Sequence, residues 1–261
     1  MSLSVTQLSW HRDGRAILDG VDLSARAGEV TAIIGANGSG KTTLLRHLTG
    51  EIPAERGCIT LDGTDLGRIA PAELARRRAV LPQAAALSFP FTVAEVVALG
   101  LQADPAPDPA RIPAALARVD LPGHGGRMYQ QLSGGEQARV QLARVLVQVW
   151  RPVTEAGPAW LFLDEPVSAL DIAHQLWVMR EARRFAEAGG GVVVVLHDLN
   201  LTAMVADRVA LLDRGRVLAV GAPSAVLTGP LLSAAYGCRI EVGGVPPSGL
   251  FVLPQMAAVA G

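Results

Sequence analysis

A chain of 261 residues, 50% hydrophobic and 18% charged, has enough apolar material for one large α/β domain with an insertion. Its formal net charge of −1 argues against a broad electrostatic grip on nucleic acid, though not against a local basic patch. Two cysteines, Cys58 and Cys238, lie far apart in no metal-ligand spacing, so ordinary thiols in a reducing compartment are expected. The N-terminal Met1-Ser-Leu-Ser-Val-Thr-Gln-Leu has neither the basic nor the apolar region of a secretion signal. No window approaches the roughly 20 apolar residues of a membrane span. These features predict a soluble, cytoplasmic protein.

In chain order, residues 3–9 and 16–25 alternate as strands around an Asp13-Gly14 turn. The apolar run Val30-Thr-Ala-Ile-Ile34 predicts a strand over 29–34, and Leu44-Leu-Arg-His-Leu48 belongs to a helix over about 41–50. Between them lies Gly35-Ala36-Asn37-Gly38-Ser39-Gly40-Lys41-Thr42-Thr43, which fits the pattern G-x-x-x-x-G-K-[ST] in a strand–turn–helix setting. Glycines let successive backbone N–H groups converge on phosphate oxygens, and the helix N-terminus adds partial positive charge there. Lys41 then reaches the β- and γ-phosphates while the Thr42 hydroxyl can ligate Mg²⁺. The motif predicts binding of a nucleoside triphosphate.

Thr60–Gly63 reads as a strand ending in a turn, Pro71–Arg78 as a short helix, and Ala79–Pro82 as a strand closed by Gln83. Composition then changes. Thr92 to Gly100 carries a polar cap, an early carboxylate and a glycine stop, followed by the proline-rich 104–109 loop and helices near 110–119 and 135–150. Strand–helix alternation resumes with 160–163, 172–188 and 192–196. The expected division is one domain over 1–256, with an α/β core of 1–83 and 151–256 and a helical subdomain of 84–150.

The strand Trp160-Leu-Phe-Leu163 ends in Asp164 and Glu165, where a phosphate loop upstream makes Mg²⁺ coordination by Asp164 the expected role. Glu165 points differently and can accept a hydrogen bond from an attacking water. Leu132-Ser133-Gly134-Gly135-Glu136-Gln137 opens the 135–150 helix and reads as a second anion cradle.

Taken together and in this order, these motifs make the chain resemble the ATP-binding subunits of ATP-binding-cassette (ABC) transporters. The resemblance spans the phosphate loop, Gln83, residues 132–137, 160–165, Ser168-Ala-Leu-Asp171 and His197. It implies an α/β P-loop NTPase core of ABC type with an antiparallel β subdomain and a helical insertion, and an ATPase using Mg²⁺ with ATP. Asp164, Thr42 and Gln83 are then expected at the metal, Glu165 at the hydrolytic water and His197 at the γ-phosphate. Leu132 to Gln137, led by Ser133 and Gly135, are expected to act on the nucleotide of a second copy in a homodimer, with Asp171 in the loop crossing that interface. Members of the family stack adenine on an aromatic near the first hairpin; Trp10 is the candidate here, as base platform or as simple packing. Ala138 stands where a longer polar residue is commoner and is expected to face away from the phosphate.

Phe89-Pro-Phe-Thr-Val93, Tyr129 to Glu136, Leu196-His-Asp-Leu-Asn200 and Phe251-Val-Leu-Pro-Gln255 look like the haem-import ATPases of Gram-negative bacteria. That resemblance implies two transmembrane permease subunits docked near Gln83 and 84–101, and indirectly a periplasmic haem-binding protein. It implies no nucleic acid, and a peripheral place on the cytoplasmic face of the inner membrane. Iron–siderophore or cobalamin import remains the alternative within the branch, and a soluble cassette protein the alternative outside it.

Overall fold

The computed structural model describes residues 1–83, 89–168, 170–245 and 248–254. Ala169, Gln255 and the 84–88 start of the expected insertion lie outside the described residues.

Strands β1 (Ser2–Arg12) and β2 (Arg15–Arg26) form a long hairpin. With β4 (Arg56–Leu61) and β5 (Thr64–Asp65) they make an antiparallel sheet of order β2-β1-β4-β5. The second sheet gathers β3 (Val30–Gly35), β6 (Arg78–Leu81), β9 (Trp160–Asp164), β10 (Gly191–Val195), β11 (Arg208–Asp213) and β12 (Arg216–Gly221). Its order is β12-β11-β3-β10-β9-β6, parallel throughout except for β12. A small hairpin of β7 (Val153–Thr154) and β8 (Gly157–Pro158) precedes β9, a pair the sequence pattern does not announce.

The central strands read as continuous apolar runs because both faces are covered. Val192 and Val194 pack with the helices, whereas Val193 and Val195 pack with the antiparallel sheet. Trp160 and Phe162 likewise point opposite to Leu161 and Leu163. This period of two divides the core into two layers on either side of one sheet. Helix α1 (Lys41–Leu48) lies in the layer beneath the antiparallel sheet.

Helices α2 (Pro71–Arg77), α3 (Val93–Ala98), α4 (Arg111–Arg118) and α5 (Gly134–Gln148) follow the expected order. Thr92, the expected polar cap, and Glu95, the early carboxylate, form a reciprocal capping box on α3. Gly100, however, is no stop: the chain runs on as a 3₁₀ turn over Leu99–Ala103. Its glycine is required by packing, since a Cβ there would sit 2.1 Å from the Arg144 carbonyl of α5. Arg144 and Gln148 also tie α5 to the core, donating to the carbonyls of Val80, Ala75 and Arg78. Helices α6 (Ile172–Glu187) and α7 (Leu199–Val205), then α8 (Pro223–Val226) and α9 (Gly229–Tyr236), complete the chain.

Candidate nucleotide site

In a parallel sheet, ligands bind beyond the carboxyl ends of the strands, and here four neighbouring ends carry the predicted chemistry. The phosphate loop leaves β3, Asp164 and Glu165 end β9, His197 follows β10, and Gln83 follows β6. The pairing Val195 with both Ile33 and Asp164, and Leu81 with Leu163, brings these ends level.

Gly35 starts the loop at φ 147°, with the Leu212 carbonyl of β11 only 2.2 Å from where a Cβ would stand. No other residue fits that seat. The buried Ser39 hydroxyl has no partner inside the loop. Lys41, almost wholly buried, donates to the carbonyls of Gly35 (2.9 Å) and Ala36 (3.0 Å). Burial lowers the Lys41 pKa, while Glu165 and Asp164 oppose that shift. The ammonium thus stands at the mouth of a loop opened by Gly38 and Gly40, with Thr42 and Thr43 in the first turn of α1.

Thr42 donates to Asp164 at 3.2 Å. Burial pushes the Asp164 carboxyl pKa up, as does the neighbouring Glu165, against the stabilising Thr42 bond. A buried carboxylate beside a hydroxyl is a hard-oxygen donor set. Among the described residues no group of three His, Cys, Asp or Glu is assembled to hold a metal. One carboxylate beside one hydroxyl fits Mg²⁺, which takes one or two carboxylates and completes its shell with phosphate oxygens and water.

Glu165 has φ +50°, an uncommon conformation for a residue with a Cβ, and it turns the carboxylate away from Asp164's partners. Its two oxygens are held separately. Gln83 donates its amide to Oε2 at 2.8 Å, and His197 Nε2 lies 2.5 Å from Oε1. Gln83 is therefore bonded to Glu165 rather than to the Thr42–Asp164 pair. The direct His197 contact is absent from the sequence reading, and the level ends of β9 and β10 explain it.

Leu132 is buried, while Ser133 and Gly134 are exposed at the start of α5. Ser133 accepts from the Glu136 N–H and donates to its carboxylate, which in turn accepts from the Ser133 N–H at 2.8 Å. This capping box was legible as S-x-x-E but is missing from the anion-cradle reading. Gln137 ties its amide to the carbonyls of Tyr129 and Leu132. No hydrogen bond among the described residues joins Leu132–Gln137 to the phosphate loop of the same chain. Ala138, expected to face away from the phosphate, lines a cavity of about 180 Å³ together with Gln83, Gln137 and Glu165. Asp171 caps α6 through the His174 N–H at 2.9 Å.

Trp10 is partly buried and sets its ring edge against His47 of α1, centroids 5.5 Å apart at 69°. The indole thus stands beside the helix that carries Lys41. If it stacks on adenine, Trp10→Ala weakens ATP binding by about 1–3 kcal/mol with turnover at saturation intact. Calorimetric titration checks this; equal affinity with a lowered melting temperature would make the residue packing alone.

Residues 18–168 match the family model described as ABC transporter. The chain is 58% identical over 247 residues to the hemin import ATP-binding protein HmuV of Jannaschia sp. (strain CCS1), covering 94% of this chain and 91% of that one. It is 59% identical to the protein of that name from Mesorhizobium japonicum, covering 93% and 94%. With its counterpart from Ruegeria sp. it shares 57% over 98% and 99%. Among solved structures, a bacterial Atm1-family ABC exporter with ATP bound superposes with a TM-score of 0.75 at 28% identity, covering 87% of this chain and 39% of that one. An ATP-binding subunit of an ABC transporter gives 0.77 at 24% identity, covering 92% and 95%, and supports the fold. With four strand ends carrying a phosphate loop, a Thr–Asp pair and a doubly held carboxylate, and with these relatives, the chain belongs to the ABC transporter family as an ATP-binding subunit.

Proposed function

We propose that this protein is the ATP-hydrolysing subunit that energises import of haem into a bacterial cytoplasm. The observation that carries hydrolysis is Glu165, held between Gln83 and His197 beside Lys41's loop. The cargo rests on the hemin-import names of relatives at 57–59% identity.

In this reading, Lys41 and the loop N–H groups bind the ATP phosphates, and Thr42 and Asp164 hold Mg²⁺. The metal, when bound, neutralises charge on the β- and γ-phosphates. Glu165 takes the proton of the attacking water, while His197 and Gln83 orient its carboxylate and lie where they meet the γ-phosphate and water. Ser133 to Gly135, at the start of α5, complete the site of a second copy, and Asp171 shapes the loop between the two. A pair of permease subunits docks near Gln83 and the 84–101 stretch, from the cytoplasmic face of the inner membrane, and a periplasmic haem binder delivers the cargo. No helix among the described residues is long and apolar enough to cross a membrane, in keeping with a peripheral subunit.

Uptake of labelled haem by vesicles holding the reconstituted complex tests the cargo. Haem uptake driven by ATP is expected; uptake of iron–siderophore or cobalamin instead would overturn it. Within the same preparation, Lys41→Ala removes a charged hydrogen bond worth about 1.5–3 kcal/mol, so nucleotide affinity falls roughly 10- to 100-fold. Unchanged affinity by calorimetry would refute the phosphate-loop role.

A further inference from the structure

Away from the nucleotide, α6 and α7 enclose a cavity of about 260 Å³. Its floor is Leu176, Met179, Leu201 and Val205, all buried, and Met204 stands 41% exposed at its wall. Residues three and four apart share a helix face, so α6 places Arg180, Arg183 and Arg184 along the same cavity.

The charges there are unequal. Arg183 is occupied by Asp207, with bonds of 2.9 and 2.7 Å, and by the Val205 carbonyl. The buried Glu181 carboxylate is shared between Arg118 at 2.7 Å and Arg184 at 2.8 Å. Arg180 makes no hydrogen bond or ion pair among the described residues. Of the three guanidinium groups along the apolar slot, Arg183 and Arg184 are held by Asp207 and Glu181, which lie outside its lining, and Arg180 is held by neither. An anion gains charge-assisted bonds from Arg180, and from the Arg184 N–H groups not turned to Glu181, without displacing an existing pair. The floor demands that the anion carry an apolar body.

Arg180 and Arg184 lie one helical turn apart, with Cβ atoms about 5–6 Å apart, a spacing for two carboxylates on one edge of a ligand. We infer that this groove binds haem on the cytoplasmic side, one edge of the macrocycle between α6 and α7 and its two propionates on Arg180 and Arg184. This rests on the importer reading. The cavity is smaller than the roughly 300–1,000 Å³ of pockets that enclose a whole ligand, so only the ring edge enters. The polarisable Met204 side chain lies along the ring face.

The position has a consequence for hydrolysis. Helix α6 is capped by Asp171, a short way beyond Glu165, and α7 by Asp198, directly after His197. A ligand wedged between these helices bears on the two loops that set the Glu165–His197 contact. Imported haem then slows the ATPase that delivers it.

The test uses the full-length subunit titrated with hemin and, by fluorescence, with iron-free protoporphyrin. Both are expected to saturate one site per chain, because recognition uses propionates and ring rather than iron. Arg180→Glu weakens both at least tenfold, and esterifying the propionates does the same. Hemin lowers ATP hydrolysis by the parent but not by Arg180→Glu. Porphyrin binding indifferent to both changes would overturn the site, and binding without any effect on hydrolysis would overturn the feedback. Tight binding of dodecanoate with none of protoporphyrin would assign the groove to linear acyl carboxylates and overturn the haem inference. Haem uptake by the reconstituted complex is measured alongside: uptake without porphyrin binding by the subunit removes this inference only, whereas binding without uptake removes the importer reading.

Discussion

Glu165→Gln is expected to lower hydrolysis by about 10²–10⁴-fold while leaving ATP binding intact, because it deletes the proton acceptor and no ground-state phosphate ligand. The geometry sharpens the expectation. Glu165 receives Gln83 on one oxygen and His197 on the other, whereas a carboxamide offers only one acceptor oxygen and turns a donor toward the second neighbour. Loss of a negative charge beside the γ-phosphate also relieves repulsion in a closed pair. With ATP bound and not consumed, the closed homodimer accumulates. Elution volume of the subunit in Mg-ATP reads this directly: Glu165→Gln shifts to dimer, and Lys41→Ala stays monomeric. Hydrolysis at the parent rate would move the base elsewhere, with His197 next.

Ser133→Arg is expected to abolish hydrolysis while each subunit still binds ATP. Ser133 is exposed and, among the described residues, its side chain is engaged only within its own capping box, so a bulky cation there blocks a partner's approach and leaves the phosphate loop untouched. Loss of the cap itself costs α5 about 0.5–2 kcal/mol, too little to unfold a core of this size. Mixing separates the two explanations. A heterodimer of Ser133→Arg with Lys41→Ala pairs one intact loop with one intact Ser133, so the mixture hydrolyses ATP where each variant alone does not. Normal hydrolysis by Ser133→Arg alone would end the trans-acting assignment.

The candidate site is legible in the sequence because its residues fall in short contiguous stretches at the ends of apolar runs. Gly35 to Thr43, Asp164-Glu165 and His197 each follow a buried strand, and parallel pairing does the rest. What escaped the sequence depends on contacts between distant segments. Gly100 looked like a helix stop because local signals cannot report the Arg144 carbonyl pressed against it. The nearness of Ala138 to Glu165 has no local signal because the cavity they share is made by four separate segments. The β7–β8 hairpin is only two residues per strand, too short for any periodicity. The Ser133–Glu136 box was a missed local signal rather than a hidden one.

The position of β3 governs how this protein must be made. Both neighbours of β3, β10 and β11, come from the last third of the chain, and the carbonyl that seats Gly35 belongs to Leu212. During synthesis the phosphate-binding sequence therefore emerges early but waits, with both edges of its strand unpaired until β10 is made and one edge unpaired until β11 ends at Asp213. Such bare apolar edges invite aggregation, and closing long loops around a parallel sheet is slow. A nascent chain cannot recruit ATP to help it fold. Affinity for nucleotide is acquired only by a completed polypeptide, so every truncation before β11 yields a chain that carries the motif and lacks the grip.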